Sequence, residues 1–220
     1  MAVIHRTTLS PTKLELLAVW LPAQPWYRGK AHRPELARTG GFRLDDPEGE
    51  VGIEFMAVTD TSGAQPVTYQ VPFSYRDAPL PGAEEALIGT SEHGVLGQRW
   101  VYDGTRDPVL AAQLFALLTG EAEPQMQSTS DTPDPSVTAG IDASERGTEI
   151  ASFTTTDTPD GTDILVATAP AGRLLTLRVN RVLRPGQDAD GRALGQVTAP
   201  APLPDGTTAP MAYVVVHAHP

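Results

Sequence analysis

Apolar and polar residues alternate with a period of two along most of this chain. Val51, Ile53 and Phe55 share one face of an extended segment while Gly52 and Glu54 take the other, which predicts a half-buried strand. The turn residues Asp60, Thr61, Ser62 and Gly63 follow, and alternation resumes with Val67, Tyr69, Val71, Phe73 and Tyr75, so the two runs predict an antiparallel hairpin. Pro72 has no N–H to give a ladder, which predicts an edge or bulged position for the second strand. Further strands are predicted over 98–102, 150–156, 163–168, 174–183, 194–198 and 211–217. Pro170-Ala171-Gly172 and Pro204-Asp205-Gly206 supply turns among them.

Helical spacing occurs twice. Leu14, Leu17, Ala18 and Leu21 line one face after Ser10-Pro11, a cap residue followed by a proline whose missing donor costs nothing at that position. A helix is predicted over 11–21, ended by Pro22 and Pro25. Asp107-Pro108 repeats the signal ahead of Val109, Leu110, Leu114, Phe115, Leu117 and Leu118, and Gly120 closes the second helix. From 121 the chain turns polar, and the stretch 128–135 is too rich in hydroxyls and proline for a core element. The expected division is a first unit over 1–124, a polar linker over 125–147 and a β-rich unit over 148–220 packed on the first. The fold class is α+β, with no repeat at a solenoid period.

Composition narrows the function. A length of 220 residues allows a self-sufficient core, and the absence of cysteine removes disulfides, thiolate zinc sites and cysteine nucleophiles. A net charge of −11 repels phosphate backbones and anionic lipid, so neither nucleic acid nor membrane is an expected partner. Residues 1–7 lack the basic-then-apolar pattern of a secretory leader and no apolar run approaches ~20 residues, so a cytoplasmic protein is expected.

Several short motifs occur in a fixed order: Trp26-Tyr27-Arg28-Gly29-Lys30 after the first helix, Thr68-Tyr69-Gln70-Val71-Pro72-Phe73-Ser74-Tyr75-Arg76, Leu87-Ile88-Gly89-Thr90, and Arg99-Trp100-Val101-Tyr102-Asp103-Gly104 ahead of Asp107-Pro108. In this order they resemble the N-terminal cap of actinobacterial maltokinases and related glucosamine kinases, over about the first 120 residues. The resemblance implies a curved, cystatin-like antiparallel cap sheet with two helices, regulatory or contact roles for the cap, and no phosphoryl-transfer residues within it. Leu177-Arg178-Val179, with Arg181 and Pro185-Gly186 beyond, resembles the small-lobe kinase strand that carries a nucleotide-gripping lysine, with Arg178 in its place. A planar guanidinium does not replace an ammonium on two phosphates. The sequence contains neither a glycine-rich phosphate loop nor a catalytic loop of His-x-Asp form, and it stops where a catalytic lobe would begin.

The expectation is therefore a non-catalytic accessory or regulatory module of glucan, trehalose or aminosugar metabolism, with a protein partner such as a kinase or a glucan or trehalose enzyme, and no cofactor. Trp26, Tyr27, Arg28, Tyr75, Arg76 and Arg99 form the candidate interaction or ligand surface. The alternative is a small-molecule or glycan-binding protein with a cleft lined by Trp26, Tyr27 and Trp100, although aromatics beside apolar strands usually belong to a core. Trp100 and Tyr102 share a face, which predicts a structural role. Glu92-His93 would need a loop to act together as acid and base, and no nucleophile lies near them in sequence. His217 and His219 lack an identifiable third ligand, and Asp77, Glu84 and Glu85 read as solvated acids, so no metal is expected.

Overall fold

The first helix begins at a capping box. The Thr12 hydroxyl accepts from the Glu15 amide at 3.3 Å, and the Glu15 carboxylate accepts from the Thr12 N–H at 2.7 Å. These two bonds satisfy two orphan donors where the expected Ser10 cap would satisfy one, and α1 runs over Lys13–Trp20. Ser10 instead belongs to a two-residue strand, β1 (Leu9–Ser10). Pro22 does not stop the chain's winding, because a 3-10 turn carries it on through Leu21–Ala23. Leu17 and Leu21 are fully buried beneath α1, as its apolar face requires. The computed structural model describes residues 8–29, 33–186, 192–203 and 205–219. Lys30 of the first motif, the residue 1–7 leader test, Pro204 and the loop beyond Gly186 fall partly or wholly outside them.

Five strands follow: β2 (Leu36–Leu44), β3 (Gly52–Asp60), β4 (Val67–Arg76), β5 (Leu87–His93) and β6 (Gly97–Asp103). With β1 they make a curled antiparallel sheet in the order β1-β5-β6-β4-β3-β2. Helix α2 (Pro108–Thr119) is capped by Asp107 and ended by Gly120 in the left-handed region, both as predicted. The second sheet holds β7 (Thr138–Ile141), β8 (Glu149–Asp157), β9 (Gly161–Ala169), β10 (Leu174–Asn180), β11 (Gly195–Pro202) and β12 (Thr208–Ala218), in the order β7-β11-β12-β10-β9-β8. The molecule is α+β, as expected.

One apolar core spans both sheets. Phe42, Ile53, Phe55 and Ala57 of the first meet Ile164, Val166, Leu177 and Val216 of the second, and Leu114, Phe115 and Leu118 of α2 join them. The other face of the first sheet has its own cluster, in which Met56, Val58, Val71 and Phe73 pack under Leu17 and Leu21. Strand β3 is consequently buried on both faces rather than half-buried, and Glu54, on its polar side, is only 3% exposed.

Three segments depart from the sequence pattern. Strand β2 breaks period two at a bulge between Arg38 and Gly40, and just beyond it Gly41 has φ of 119°, where a Cβ would stand 1.9 Å from the Phe55 carbonyl oxygen. Residues 125–147 are tied down by backbone bonds. Gln125 exchanges both of its backbone bonds with Arg43 at 2.9 and 2.8 Å, the Met126 N–H donates to the Thr132 carbonyl, and β7 pairs with β11.

Pro72, expected at an edge, lies in an interior strand, and the reason is local. Strand β6 pairs with β4 only over Phe73–Arg76, while the Gln70 N–H on the same edge donates to the Arg181 carbonyl at 2.9 Å. Pro72 faces the gap between those two partners, where a ladder donor is not called for. The Gln70 amide reinforces the junction by donating to the carbonyls of Asn180 at 2.8 Å and Tyr213 at 2.9 Å.

Candidate functional site

The Trp26-Tyr27-Arg28 motif is held at the seam between the sheets. Trp26 is fully buried, with Trp20 and Tyr69 at ring-centroid distances of 5.8 and 6.0 Å. It therefore contributes nothing to the surface on which it was expected. Tyr27 donates its hydroxyl to Asp60 at 2.9 Å, and burial followed by that carboxylate pushes its pKa far above the ordinary phenol value. The Arg28 amide donates to the Tyr69 hydroxyl, while its guanidinium reaches the tip of the β8–β9 hairpin, 2.8 Å from the Pro159 carbonyl and 2.7 Å from Asp160.

Beneath this motif sits a residue that sequence reasoning placed only as part of a strand. Arg181 is fully buried, 4.9 Å above the Trp26 ring. Its Nη2 donates to Asp103 at 2.5 Å and to the Thr105 hydroxyl at 3.2 Å, and its Nε donates to the Thr162 hydroxyl at 2.8 Å. Its Nη1 and the Trp26 indole N–H are both buried without a hydrogen-bond partner, each an omission that ordinarily costs ~1–3 kcal/mol. The signal in the sequence was an arginine within a run of apolar strand residues.

The remaining candidates lie elsewhere. Tyr75 donates to Glu54 at 2.7 Å, and the same carboxylate takes Lys13 at 2.5 Å and Gln127 at 3.0 Å. Burial opposes ionisation of Glu54, but the Lys13 charge and these donors outweigh it and leave the pKa below the usual carboxylate value. Burial and the neighbouring Glu54 charge raise Tyr75 well above the usual phenol range. Arg76 grips Asp107 through two bonds of 2.7 and 2.8 Å while Asp107 also caps α2 through the Val109 amide. Arg99 donates to the Leu96 carbonyl in the β5–β6 hairpin. The six residues thus occupy four separate places.

Other motifs are structural in their contacts. His93 Nδ1 accepts from the Val95 and Leu96 amides and shapes a turn, and Glu92 is exposed beside it. Trp100 is half-buried against Ala83, Ala86 and Tyr102, on the face predicted. Arg178 lies across its neighbouring strand from Asp163 and holds it with two 2.8 Å bonds. Among the described residues no three histidines or carboxylates are grouped to hold a metal, and no helix is long and apolar enough to cross a membrane.

Fold and contacts define an α+β protein in which a curled sheet, with a helix on its outer face, shares its inner face with a second antiparallel sheet. The first of these units is similar to a known family: residues 20–107 match the maltokinase N-terminal cap domain. The matched span covers β2 to β6 and ends at the cap of α2, leaving the second sheet outside it. No curated protein matches the chain.

Proposed function

We propose that this chain is a non-catalytic, cytoplasmic accessory or regulatory module that acts through protein contacts in glucan, trehalose or aminosugar metabolism. The observation that carries the reading is the Arg178–Asp163 pair. Arg178, which the resemblance sets where kinases carry a nucleotide-gripping lysine, is engaged by two bonds to an in-sheet neighbour, and its strand is one of six in a wholly antiparallel sheet. The match to a cap domain supports the same reading. An aromatic-lined glycan cleft is less favoured, since Trp26 is fully buried, Tyr27 is tied to Asp60 and Trp100 packs half-buried against Ala83, Ala86 and Tyr102, so the three do not line one groove.

Calorimetric titration with ATP and magnesium, together with phosphorylation assays on maltose and glucosamine, tests the proposal. Neither binding nor turnover is expected. Saturable micromolar ATP binding that disappears in Arg178→Ala would refute it.

A further inference from the structure

The edge of β4 that β6 leaves free is occupied by the chain's own residues 181–183. The Gln70 N–H donates to the Arg181 carbonyl and the Leu183 N–H to the Thr68 carbonyl, each at 2.9 Å, with Tyr69 and Val182 opposed in an antiparallel bridge. This is how an extended peptide is added to an open sheet edge, main-chain bonds giving affinity and side-chain pockets giving selectivity. The pocket here belongs mostly to the cap-like unit. The Trp26 ring, the Asp103 carboxylate and the Thr105 hydroxyl meet the Arg181 guanidinium, and Val182 packs in the cluster under α1. From the second sheet the bound side chain takes only the Thr162 hydroxyl among these polar contacts.

Two features make this occupant exchangeable. It follows the last β9–β10 pair, Asn180 with Gly161, and continues into Arg184, Pro185 and Gly186, all exposed, so lifting it from β4 breaks no β9–β10 pair, although it withdraws Val182 and Leu183 from the clusters in which they are buried. Its Nη1 also has no acceptor, so the guanidinium in place leaves both N–H groups of that nitrogen unused.

We infer that the β4 edge and the Trp26–Asp103–Thr105 pocket form a docking site for an extended segment of a protein partner, an arginine followed by aliphatic residues, which residues 181–183 occupy in cis. This rests on the reading of the chain as an interaction module and names the partner's chemistry. Arginine is favoured over lysine, because a planar guanidinium stacks flat on the indole while its rigid fork holds the Asp103 and Thr105 oxygens, whereas an ammonium is a compact charge on a flexible stem without that planar geometry. The net charge of −11 favours the approach of such a basic segment.

The test uses the full chain with Arg181→Gln, which takes the guanidinium out of the pocket and weakens the occupant's hold on β4, and a fluorescent peptide with the sequence of residues 179–185. Fluorescence polarisation should show saturable binding to the variant, at least about tenfold tighter than to wild type, and weakened about tenfold when the peptide's arginine at the position of Arg181 is lysine. No saturable binding by folded variant, or equal affinity for the two peptides, overturns the inference. Hydrogen exchange on the wild-type chain decides it even if the variant does not fold. The Gln70 and Leu183 amides should open about a hundredfold more often than those of Met56 and Val71 in the inner ladder. Opening of all four only together, in global unfolding, overturns it. Failure here with ATP still unbound removes the docking site and leaves the non-catalytic reading standing.

Discussion

The Arg181 guanidinium lies 4.9 Å over the indole of Trp26, so a cation from the second half of the chain is stacked on the motif that opens the cap-like unit. Removing that cation leaves Asp103, which is 5% exposed, as a buried anion without its counter-charge. Arg181→Met should destabilise the protein by ~3–5 kcal/mol, whereas replacing both Arg181 and Asp103 with leucine should cost markedly less. Denaturant melts of the two single variants and the double variant measure the difference.

Trp26 and Trp100 should respond unequally to truncation. Trp26→Ala removes a fully buried ring and should cost ~3–5 kcal/mol, while Trp100→Ala, at a half-buried site with fewer neighbours, should cost less. Thermal unfolding of both variants checks the order, and a larger loss at Trp100 would contradict it.

The acid limb of stability should depend on Glu54 and Asp107. Burial works against both charges, yet Lys13 at Glu54 and Arg76 at Asp107 hold the folded pKa values below their usual range. A depressed folded pKa contributes stability that is present above the unfolded value, about 4 for these groups, and is lost as pH falls through the folded one. Denaturant midpoints should therefore drop steeply below about pH 4, and Glu54→Gln should be less stable at neutral pH with a shallower acid slope.

Much of the architecture is visible in local sequence, and the exceptions share a cause. The alternation in β3 and β4, the Leu14, Leu17 and Leu21 spacing, and the Asp107 and Gly120 stops all depend on neighbours within a few residues. Strand β2 escapes notice because its bulge between Arg38 and Gly40 interrupts the period. The 125–147 segment escapes because backbone pairing such as Gln125 with Arg43 is indifferent to side-chain polarity. Arg181 has partners 78, 76 and 19 residues away, and no pattern along the chain announces a contact of that kind.

Cutting the chain after Gly120 should expose Phe42, Ile53 and Phe55, whose cover comes from the second sheet. The fragment should bind a hydrophobic dye or aggregate. A soluble, monomeric fragment that melts with the whole chain would show that the halves are independent.

Arg178→Ala should change the melting temperature little, despite the two short bonds to Asp163. Both side chains are partly in water, 39% and 23% exposed, where an ion pair contributes about 0–1 kcal/mol. Calorimetric scans of the variant and of Asp163→Ala read the effect directly.

The edge that β4 shares between β6 and residues 181–183 also sets an order of events during synthesis. Asp103 leaves the ribosome 78 residues before Arg181 does, an interval on the order of ten seconds at ordinary elongation rates. Throughout that time the nascent N-terminal unit holds an open edge at Thr68 to Gln70 and, at Asp103, a carboxylate still without its arginine. Its sheet reaches final form only when the later half arrives, so the N-terminal unit cannot finish folding ahead of the rest.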